Sequence, residues 1–481
     1  MPEDGVMSHR VLRVRNGVAE LHERIAAIQA ELEIAPEFPL DVVAAARDAM
    51  ARVRLPDVDR TDIAFVTLDP LGSRDLDQAL HLERAGDGYV VHYAIADLGA
   101  FVEPGGVLDI EAHRRGETLY GADATVPLHP RELSEGAASL LPGQVRPAYL
   151  WTIQLDGDGA QTDARVERAV VRSRAQLDYD SAQRQLDAGA AEPVLELLAE
   201  VGKLRVHQEA VRGGVNLPMP EQVVDCSTVP WKLEFRRLLD VESWNAQISL
   251  LTGFAAASMM VYGRVGILRT LPPPPPEAIT RLHRTARALG IDWPAEQTYP
   301  DFIRSLDPAH PSHEAMAVAC TTLLRGAGYA AFAGELPAQP EHAALASEYA
   351  HVTAPLRRLV DRYGLETCVA LCAGEEVPGW VRDGLHALPE TMQRSNRLAR
   401  AYEGAVLDLV EASVLAGRTG ERFEGVVVSA RADDPRQGEA TLREPAVTAK
   451  VTGEEPLPVG EDVELVLSEA DPDARRVRFT L

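Results

Sequence analysis

Residues 67–78 have the sequence TLDPLGSRDLDQ, and this stretch separates two predicted strands. The β-branched and apolar run Ile63 to Leu68 predicts a strand, and the Pro and Gly that follow Asp69 predict a turn. Alternating residues from Leu76 to Leu82 predict the next strand. After the turn AGDG at residues 85–88, a third strand is predicted from Tyr89 to Ala96. The succession is typical of an antiparallel meander.

The turn between the first two strands is rich in carboxylates. Asp75 and Asp77 are two residues apart, so in an extended chain they face the same side, and the turn can bring Asp69 beside them. Three ionised carboxylates at close range repel one another unless a cation neutralises them, and oxygen ligands favour Mg²⁺ or Mn²⁺. The spacing is equally compatible with a solvated acidic turn, so it leaves both interpretations open.

The rest of the chain predicts an α+β protein of several domains. A large domain, in which an antiparallel sheet or barrel packs with helices, is expected over residues 61–415, behind a short helical N-terminal region at 1–60 with a weak helix-turn-helix signal. Five short strand patterns after Gly420 predict a small OB-type barrel at 416–481. The helices are predicted at about 17–34, 40–53, 180–212, 240–262, 276–290, 312–327, 355–373 and 390–415.

Composition limits the partners. The 481 residues contain 48 Lys+Arg against 73 Asp+Glu, a formal net charge of −25, which excludes binding of nucleic acid by bulk basic charge but not by a local channel. Only three basic residues are lysines, Lys203, Lys232 and Lys450, which reflects either compositional bias or fixed phosphate contacts by arginine.

The cysteines and the apolar runs indicate the cellular location of the protein. The four cysteines form no CxxC pair, which favours free thiols in a reducing compartment without disulfides. The sequence contains no run of about 18 apolar residues, so no membrane span is predicted. Residues 1–10 lack the apolar core of a signal peptide. A cytoplasmic protein that does not insert into membranes is therefore expected.

Several motifs resemble those of one enzyme family, in the family's order. They are FVTLDPLGSRDLDQAL at 65–80, YAIADLGAFVEPGGVLDIEAHRRGETLY at 93–120, VPLHPRELSEGAASLLPGQVRPAYL at 126–150, VRSRAQLDYDSAQ at 171–183, and HAALASEYAHVTAPLRRLVDRYG at 342–364. This series resembles the ribonuclease II (RNB) family of exoribonucleases, and GERFEGVVV at 420–428 resembles the start of its S1 RNA-binding barrel. The resemblance covers about residues 35 to 481, so the cold-shock barrels that usually precede the family's catalytic domain are not expected here.

The resemblance implies processive 3′-to-5′ hydrolysis of single-stranded RNA to 5′-mononucleotides with Mg²⁺, for which Mn²⁺ is a substitute. Asp69, Asp75 and Asp77 fall on the first three acidic positions of the family signature, as metal ligands. The fourth position, usually Asp, is Gln78, which offers a carbonyl oxygen but no charge and puts a second metal ion in doubt. The family resemblance also suggests a monomer.

The family's arginine motif corresponds to APLR at residues 354–357. Arg357 is thereby implied to hold the scissile phosphate and stabilise its developing charge, since a planar guanidinium grips phosphate with two donors. With Asp77 it is the predicted catalytic pair. Arg358 is the implied neighbour on the RNA backbone, with a surface arginine as the alternative.

Aromatic residues are implied to stack on bases, which is tolerant of sequence because every base has a π-face. Tyr120 matches the outer platform and Tyr179 the one that clamps the terminal nucleotide. The partner aromatic of the clamp is expected near residues 214–218, where none occurs, so the clamp is altered. Phe423 is either a stacking aromatic or part of the barrel core, and each Tyr alone is more often a packing residue.

Other polar residues are predicted to support the site. Asp97 either stabilises the acidic cluster or caps a turn, and Glu403 falls on a family glutamate near the active site. His342 and His351 belong to the arginine motif and are interpreted as structural hydrogen-bonding residues, since no zinc ligand set is completed nearby.

Two alternatives of different class compete with the exoribonuclease. Gln78 and the missing clamp aromatic favour an RNA-binding protein that keeps the fold but has lost efficient hydrolysis. A metal-dependent hydrolase of free nucleotides or DNA is the third class, and the S1-like barrel argues against it.

The clamp assignment makes a prediction of its own. If Tyr179 stacks on the terminal base, Tyr179→Ala removes that platform, and the smallest product of RNA digestion becomes longer. Product lengths on a sequencing gel test this, and an unchanged ladder contradicts the assignment of Tyr179 as the inner platform.

Overall fold

The computed structural model of the chain describes residues 12–15, 19–121, 124–217, 220–227, 231–307 and 309–481. Val18 of the first predicted helix and Pro218 of the predicted clamp segment lie outside these ranges. The strands are β1 (Leu12–Arg15), β2 (Phe65–Asp69), β3 (Gln78–Ala85), β4 (Gly88–Ala96), β5 (Leu119–Gly121), β6 (Ala124–Val126), β7 (Val145–Leu155), β8 (Gln161–Asp178), β9 (Glu221–Asp225), β10 (Lys232–Arg236), β11 (Val265–Thr270), β12 (Gly328–Ala333), β13 (Glu341–His342), β14 (Ser347–Glu348), β15 (Arg422–Ala430), β16 (Gln437–Leu442), β17 (Thr448–Thr452), β18 (Asp462–Asp471) and β19 (Arg476–Thr480).

The helices account for most of the remaining chain. They are α1 (Ala19–Glu31), α2 (Leu40–Arg52), α3 (Val107–Arg115), α4 (Tyr179–Asp187), α5 (Pro193–Arg212), α6 (Asp240–Gly263), α7 (Pro276–Ala288), α8 (Tyr299–Arg304), α9 (Pro311–Cys320), α10 (Leu359–Ala373), α11 (Gly379–Leu385) and α12 (Leu388–Leu415). Short 3₁₀ turns cover Leu98–Ala100 and Thr321–Leu324, and a π turn covers Leu133–Ala137.

The predicted meander closes into a five-stranded barrel. Its strand order is β2-β3-β4-β7-β8, and the long β8 closes it by pairing antiparallel with β7 and parallel with β2. Large apolar side chains such as Tyr93, Trp151 and Ile153 are fully buried within the associated hydrophobic cluster. The acidic stretch 67–78 therefore connects two barrel strands, which confirms the predicted antiparallel sheet or barrel and fixes the acids at one end of it.

Two element boundaries in the structure differ from the predicted ones because of local contacts. The strand predicted from Leu76 begins at Gln78, because the Leu76 amide donates to Ser139 Oγ at 2.9 Å instead of joining the ladder. The single helix predicted over 180–212 is two helices, α4 and α5. Gly189 with a φ of +63° lies between them, and Pro193 occupies the first turn of α5.

Helix α6 runs through the interior beside the barrel. Fifteen of its residues are buried, including Trp244, Ile248 and Leu251. Among the described helices it is the one whose length and apolar composition would suffice to cross a membrane, and 61% of its most apolar window is buried in the protein. Its apolar surface is thus largely used by the core.

The C-terminal strands form the second barrel, as predicted. The order β15-β16-β17-β19-β18 is closed, with β17 parallel to β19. Phe423 is 5% exposed and packs edge-on against Phe479 with ring centroids 6.1 Å apart. Of the two interpretations of Phe423, these contacts favour the barrel core, and the RNA-stacking role stays a prediction.

The N-terminal region is not purely helical. Helices α1 and α2 agree with the predictions, but β1 pairs in parallel with β9, which also pairs with β10. A strand of four residues whose partner lies about 200 residues away has no local sequence signal, because β propensity depends on tertiary context. Leu21, Ile25 and Ile28 of α1 share a hydrophobic cluster with the C-terminal barrel.

A pair of helical glycines tests the packing of α6. A Cβ at Gly253 would lie 2.0 Å from Tyr349 Cε2 and 2.7 Å from the Ala350 carbonyl oxygen, whereas nothing lies within 4 Å of one at Gly404 in α12. We expect Gly253→Ala to lower the free energy of unfolding by about 1–3 kcal/mol through overpacking. Gly404→Ala should raise it by about 0.5–1 kcal/mol, since alanine favours the helix.

Urea titration followed by circular dichroism measures both variants. Equal shifts in the same direction for the two glycines would contradict the proposed close approach at Gly253.

Candidate active site

The three predicted acids lie around the β2–β3 connection. Asp69 is the last residue of β2, and Asp77 immediately precedes β3. Asp77 is 5% exposed, whereas Asp69 and Asp75 are partly buried. Burial raises the pKa of Asp75, and the charge of Arg357 opposes that rise. The carboxyl of Asp75 therefore lies within electrostatic reach of the predicted catalytic arginine.

The segment 353–357, which we call the arginine loop, is tied to the barrel by hydrogen bonds. The Leu356 amide donates to Asp77 Oδ1 at 2.8 Å. The Ala354 amide donates to Asp361 Oδ1 at 2.7 Å. Arg357 Nε then lies 3.7 Å from Asp77 Oδ2. The structure thus brings the predicted catalytic pair, Asp77 and Arg357, into direct proximity.

Gln78 is a further link between the barrel and the arginine loop. Its Nε2 donates to the Thr353 carbonyl at 2.7 Å, and its Oε1 accepts from the Tyr93 hydroxyl at 2.7 Å. The Tyr93 hydroxyl is also 2.8 Å from Ser249 Oγ of α6. An amide has both the donor and the acceptor that this position uses, so Gln78 supports the site by placing the loop.

Tyr120 lies beside Arg357 and within electrostatic reach of Asp75 and Asp77. Its hydroxyl is hydrogen-bonded to Arg357. Desolvation of the hydroxyl raises its pKa above the usual value of 10, Arg357 opposes the rise, and Asp75 and Asp77 add to it. The residue is 42% exposed, so a ring face remains accessible. The role of Tyr120 as the outer stacking platform stays a prediction, and its nearest charged neighbours are those of the predicted catalytic pair.

Strand β5, which carries Tyr120, is joined to the arginine loop through the backbone. The Thr118 amide donates to the Arg357 carbonyl at 2.9 Å, and the Leu359 amide donates to the Gly116 carbonyl at 3.0 Å. These bonds hold the tyrosine and the arginine in a fixed relation.

Tyr179 is buried where the predicted clamp required an accessible ring. It is 8% exposed within the hydrophobic cluster beside the barrel, and its hydroxyl accepts from Asn245 Nδ2 at 3.1 Å. A ring enclosed in this way offers no face to a base, so the position does not support the predicted clamp. Tyr179→Ala would instead remove packing against α6.

Arg358 is engaged inside the protein. Its Nε and Nη2 donate to Asp361 Oδ2 and Oδ1 at 2.8 and 2.9 Å, and its side chain is 11% exposed. These contacts do not fit the alternative of a surface arginine, and the contact with the RNA backbone stays a prediction. Arg358 stabilises the start of α10.

The remaining predicted residues are structural or lie close to the site. Asp97 Oδ1 accepts from the Ala100 amide at 3.2 Å and its Oδ2 from Arg168 Nε at 2.9 Å, which fits the turn-capping interpretation. His342 and His351 are buried, and His351 Nδ1 is 2.7 Å from the Tyr329 hydroxyl. Their interpretation as structural residues is consistent with these positions.

Two acidic residues, Glu117 and Glu403, lie behind β5, and the sequence alone predicts a role near the site only for Glu403. Burial raises the pKa of Glu403 in α12 to about 7, and the charge of Glu117 adds to the rise. Burial also raises the pKa of Glu117 to about 6, while Ser395 and Arg358 lower it. Glu117 follows directly on RRG in the sequence, but nothing in that pattern signals that its carboxylate is buried.

The carboxylate oxygens of the site are the type of ligand that hard divalent cations prefer. Asp69, Asp75 and Asp77 supply carboxylate oxygens near one turn, opposite a guanidinium. Across the described ranges, however, no group of three or more His, Cys, Asp or Glu side chains is arranged to hold a metal ion by itself. Mg²⁺ commonly uses one or two carboxylates together with water and substrate phosphate, so the residues fit a cation that binds with substrate.

Comparison with known proteins agrees with this architecture. The sequence profile of the RNB domain matches residues 58–365, and that of the RNase II-type exonuclease C-terminal S1 domain matches residues 421–481. The chain is 29% identical over 324 residues to the probable exosome complex exonuclease RRP44 of Caenorhabditis elegans, covering 64% of this chain and 34% of the relative. It is 27% identical over 423 residues to ribonuclease R of Thermotoga maritima, covering 82% and 58%. The chain thus spans between about a third and three-fifths of these relatives.

Solved structures show the same fold. Mycoplasma genitalium RNase R in complex with ribose-methylated single-stranded RNA superposes with a TM-score of 0.85 at 19% identity, covering 98% of this chain and 85% of that one. Yeast Ssd1, a pseudonuclease, superposes with a TM-score of 0.69 at 15% identity, covering 90% and 55%. The fold is therefore shared by a nuclease and by a pseudonuclease, and the site residues must decide between them.

The raised pKa of Glu403 predicts a pH-dependent stability. The protonated form is favoured in the folded state, so its contribution is full below pH 4.5 and is lost as the pH rises through about 7. Glu403→Gln cannot ionise, and the fall in the free energy of unfolding across this window should shrink by up to about 3 kcal/mol.

Urea titrations between pH 4.5 and 8 test this, with Glu390→Gln, an exposed acid of the same helix, as the control. A wild-type pH profile in the Glu403→Gln variant would show that Glu403 is not the group that titrates.

Proposed function

The chain belongs to the RNB family, and we propose that it is a 3′-to-5′ exoribonuclease that hydrolyses single-stranded RNA to 5′-mononucleotides. The observation that carries the proposal is the position of Arg357, which is 3.7 Å from Asp77 and hydrogen-bonded to Tyr120. A phosphodiester at this point would meet a planar cation, acidic oxygens and an aromatic ring. The relatives named above, RRP44 and ribonuclease R, are called exonucleases or ribonucleases by their names.

The arginine has the role that phosphoryl transfer requires. Catalysis of this chemistry consists mainly of positioning and charge stabilisation, and two guanidinium N–H groups suit phosphate oxygens. Asp77 fixes the arginine loop through the Leu356 amide, so the guanidinium is oriented before substrate binds. Preorganised charge of this kind lowers the barrier because little reorganisation is needed during the reaction.

Tyr120 is proposed to serve both the arginine and the substrate. Its hydroxyl is hydrogen-bonded to Arg357, and because the residue is 42% exposed we propose that its ring stacks on the base of the terminal nucleotide. Stacking without base-specific hydrogen bonds would give the enzyme tolerance of sequence. This assigns to Tyr120 the inner role that the motif resemblance had implied for Tyr179.

Asp69, Asp75 and Asp77 are proposed to hold Mg²⁺, or Mn²⁺ in its place. When bound, the cation would supply an activated water and neutralise charge on the phosphate. Asp77 already directs Oδ1 to the Leu356 amide, so its other oxygen is the one turned towards Arg357 and the site. Gln78 carries no charge and its oxygen accepts from Tyr93, which favours a site with fewer anionic ligands than the family signature.

We further propose a monomeric cytoplasmic enzyme. The four cysteines, all within the described ranges, are free thiols, with Cys226, Cys320 and Cys368 buried and Cys372 exposed. Free thiols suit a reducing compartment.

A second candidate is an RNA-binding protein without efficient hydrolysis. It is favoured by Gln78 in place of the fourth acid and by the structural similarity to a pseudonuclease. Arg357, which lies 3.7 Å from Asp77 and beside Tyr120, argues for the enzyme instead.

Digestion of 5′-labelled single-stranded RNA with Mg²⁺ separates the two candidates. We expect progressive 3′ shortening by the wild type, and a rate lower by about a hundredfold or more in Asp75→Asn and Asp77→Asn, because several kcal/mol of charge stabilisation are lost. Asp87→Asn in the exposed β3–β4 turn is the control and should retain the wild-type rate.

Asp77 also anchors the arginine loop, whereas Asp75 does not, so a lower rate in Asp77→Asn could come from a loss of structure. Thermal unfolding of each variant measures that loss. If the wild type binds RNA tightly but leaves it intact in both Mg²⁺ and Mn²⁺, the proposal of an exoribonuclease is wrong. The RNA-binding protein without efficient hydrolysis then remains.

A further inference from the structure

Helix α7 carries three arginines that the active site does not use. Arg281, Arg284 and Arg287 are exposed and recur every three residues, and we call them the arginine stripe. The opposite face of the helix is buried through Ala278, Leu282 and Ala286 in a hydrophobic cluster. The stripe therefore points to solvent by the helical period alone.

The stripe is not neutralised by the protein. Some other arginines pair with neighbouring acids, as Arg131 does with Glu135 and Arg418 with Glu421. Others that are exposed, such as Arg237 and Arg397, form no ion pair among the described residues. Among the residues that the structure describes, no carboxylate forms an ion pair within 4.0 Å with any member of the stripe. Helix α7 contains a single acid, Glu277 in its first turn. In a chain with a net charge of −25, three adjacent arginines on one helix face form a local positive surface that suits an anionic ligand.

The surface under the stripe is concave. A depression of about 380 Å³ is lined by Pro276, Glu277, Thr280, Arg281 and Arg284. From Arg281 to Arg287 the helix advances about 9 Å at its usual rise of 1.5 Å per residue. The stripe therefore presents an elongated row of guanidinium groups, which suits a repeating anion better than a single phosphate.

The stripe also borders the C-terminal barrel. A Cβ at Gly460 of the barrel would lie 2.4 Å from Leu289 Cδ2, so the end of α7 is in close contact with it. Arg287 is two residues before that contact. The neighbouring α9 contributes Glu314, which pairs with Arg443 of the barrel at 3.5 Å. Any chain that crosses this side of the barrel passes next to the stripe.

We propose that the arginine stripe binds the sugar–phosphate backbone of RNA lying outside the active site, continuing the surface of the C-terminal barrel along α7. The inference rests on the proposed function, because it assumes that RNA is the polyanion that this chain binds. Contacts of this kind recognise phosphate and not base, so the stripe adds affinity without sequence preference.

Salt dependence of binding tests the stripe directly. Binding of a fluorescein-labelled 25-nucleotide single-stranded RNA is measured by anisotropy in EDTA, from 50 to 300 mM NaCl, so that no hydrolysis occurs. Each phosphate contact contributes about 0.7 to the slope of log K against log salt for single strands. The triple variant Arg281→Gln, Arg284→Gln, Arg287→Gln should therefore bind more weakly, with a slope smaller by about 2.

A matched triple variant controls for net charge. Arg47→Gln, Arg52→Gln and Arg382→Gln remove the same charge from exposed positions on α2 and α11. This control should keep the wild-type slope. An unchanged slope in the stripe variant, or an equal decrease in both variants, would overturn the proposal.

The result is independent of the digestion assay. If the stripe variant shows a smaller salt slope while the wild type leaves RNA intact, the stripe binds RNA and the chain is not an exonuclease. If the wild type digests RNA rapidly but the stripe variant keeps the wild-type salt slope, the chain is an exonuclease and the stripe does not bind RNA.

Discussion

The site depends on one buried hydrogen bond, in which the Leu356 amide donates to the carboxylate of Asp77 at 2.8 Å. It joins the β2–β3 connection to the arginine loop, 279 residues later in the chain. A backbone N–H buried without a partner is costly, so the acid and the loop stabilise each other. The bond leaves the second oxygen of Asp77 beside Arg357, and it places the anion and the cation of the proposed reaction in one geometry before substrate binds.

The two successive arginines after this bond have separate surroundings. Arg357 meets Asp77 and Tyr120, whereas Arg358 pairs with Asp361 and lies near Glu117. In an extended backbone successive side chains face opposite sides, and the short bridge between Glu117 and Arg358 extends this alternation to the strand opposite. One face of the pairing thus carries the proposed chemistry. The other carries a buried charge cluster that holds β5, α10 and α12 together.

The acid pair in that second cluster has a physical consequence for the first. Glu117 and Glu403 have raised pKa values because burial disfavours their charged forms. Their ionisation near neutral pH adds negative charge behind the strand that positions Tyr120. The neighbouring Arg400 lowers the pKa of both acids, so it limits that charge. The stability of the strand behind the site is therefore linked to pH.

Much of this arrangement could be predicted from the sequence where the signal was local. The acidic stretch 67–78 and the C-terminal barrel depend on short local patterns, whereas the assignment of Asp77 and Arg357 to one site came from the motif resemblance. Long-range context decided the rest. The helix expected from residue 355 begins at Leu359, because the amides of Ala354 and Leu356 bond to carboxylates and not to a helical turn. Tyr120 and Tyr179 are equivalent as single letters, and only packing against α6 shows that Tyr179 is enclosed.

The net charge of −25 acquires a different meaning once the positions of the charges are known. At physiological salt the field of a surface charge is screened within about 8 Å, so a polyanion near the protein responds to the nearest few groups and not to the sum. Arg357 and the arginine stripe of α7 are such local groups, and if the chain binds RNA as proposed, acidic surface elsewhere would disfavour RNA that bypasses them. For this reason arginine is better suited than lysine to both places. The acidic background gives no general attraction, so the affinity must come from oriented, bidentate contacts with phosphate. A protein that holds RNA in this way loses affinity when individual guanidinium groups are removed, and is insensitive to the same charge removed elsewhere.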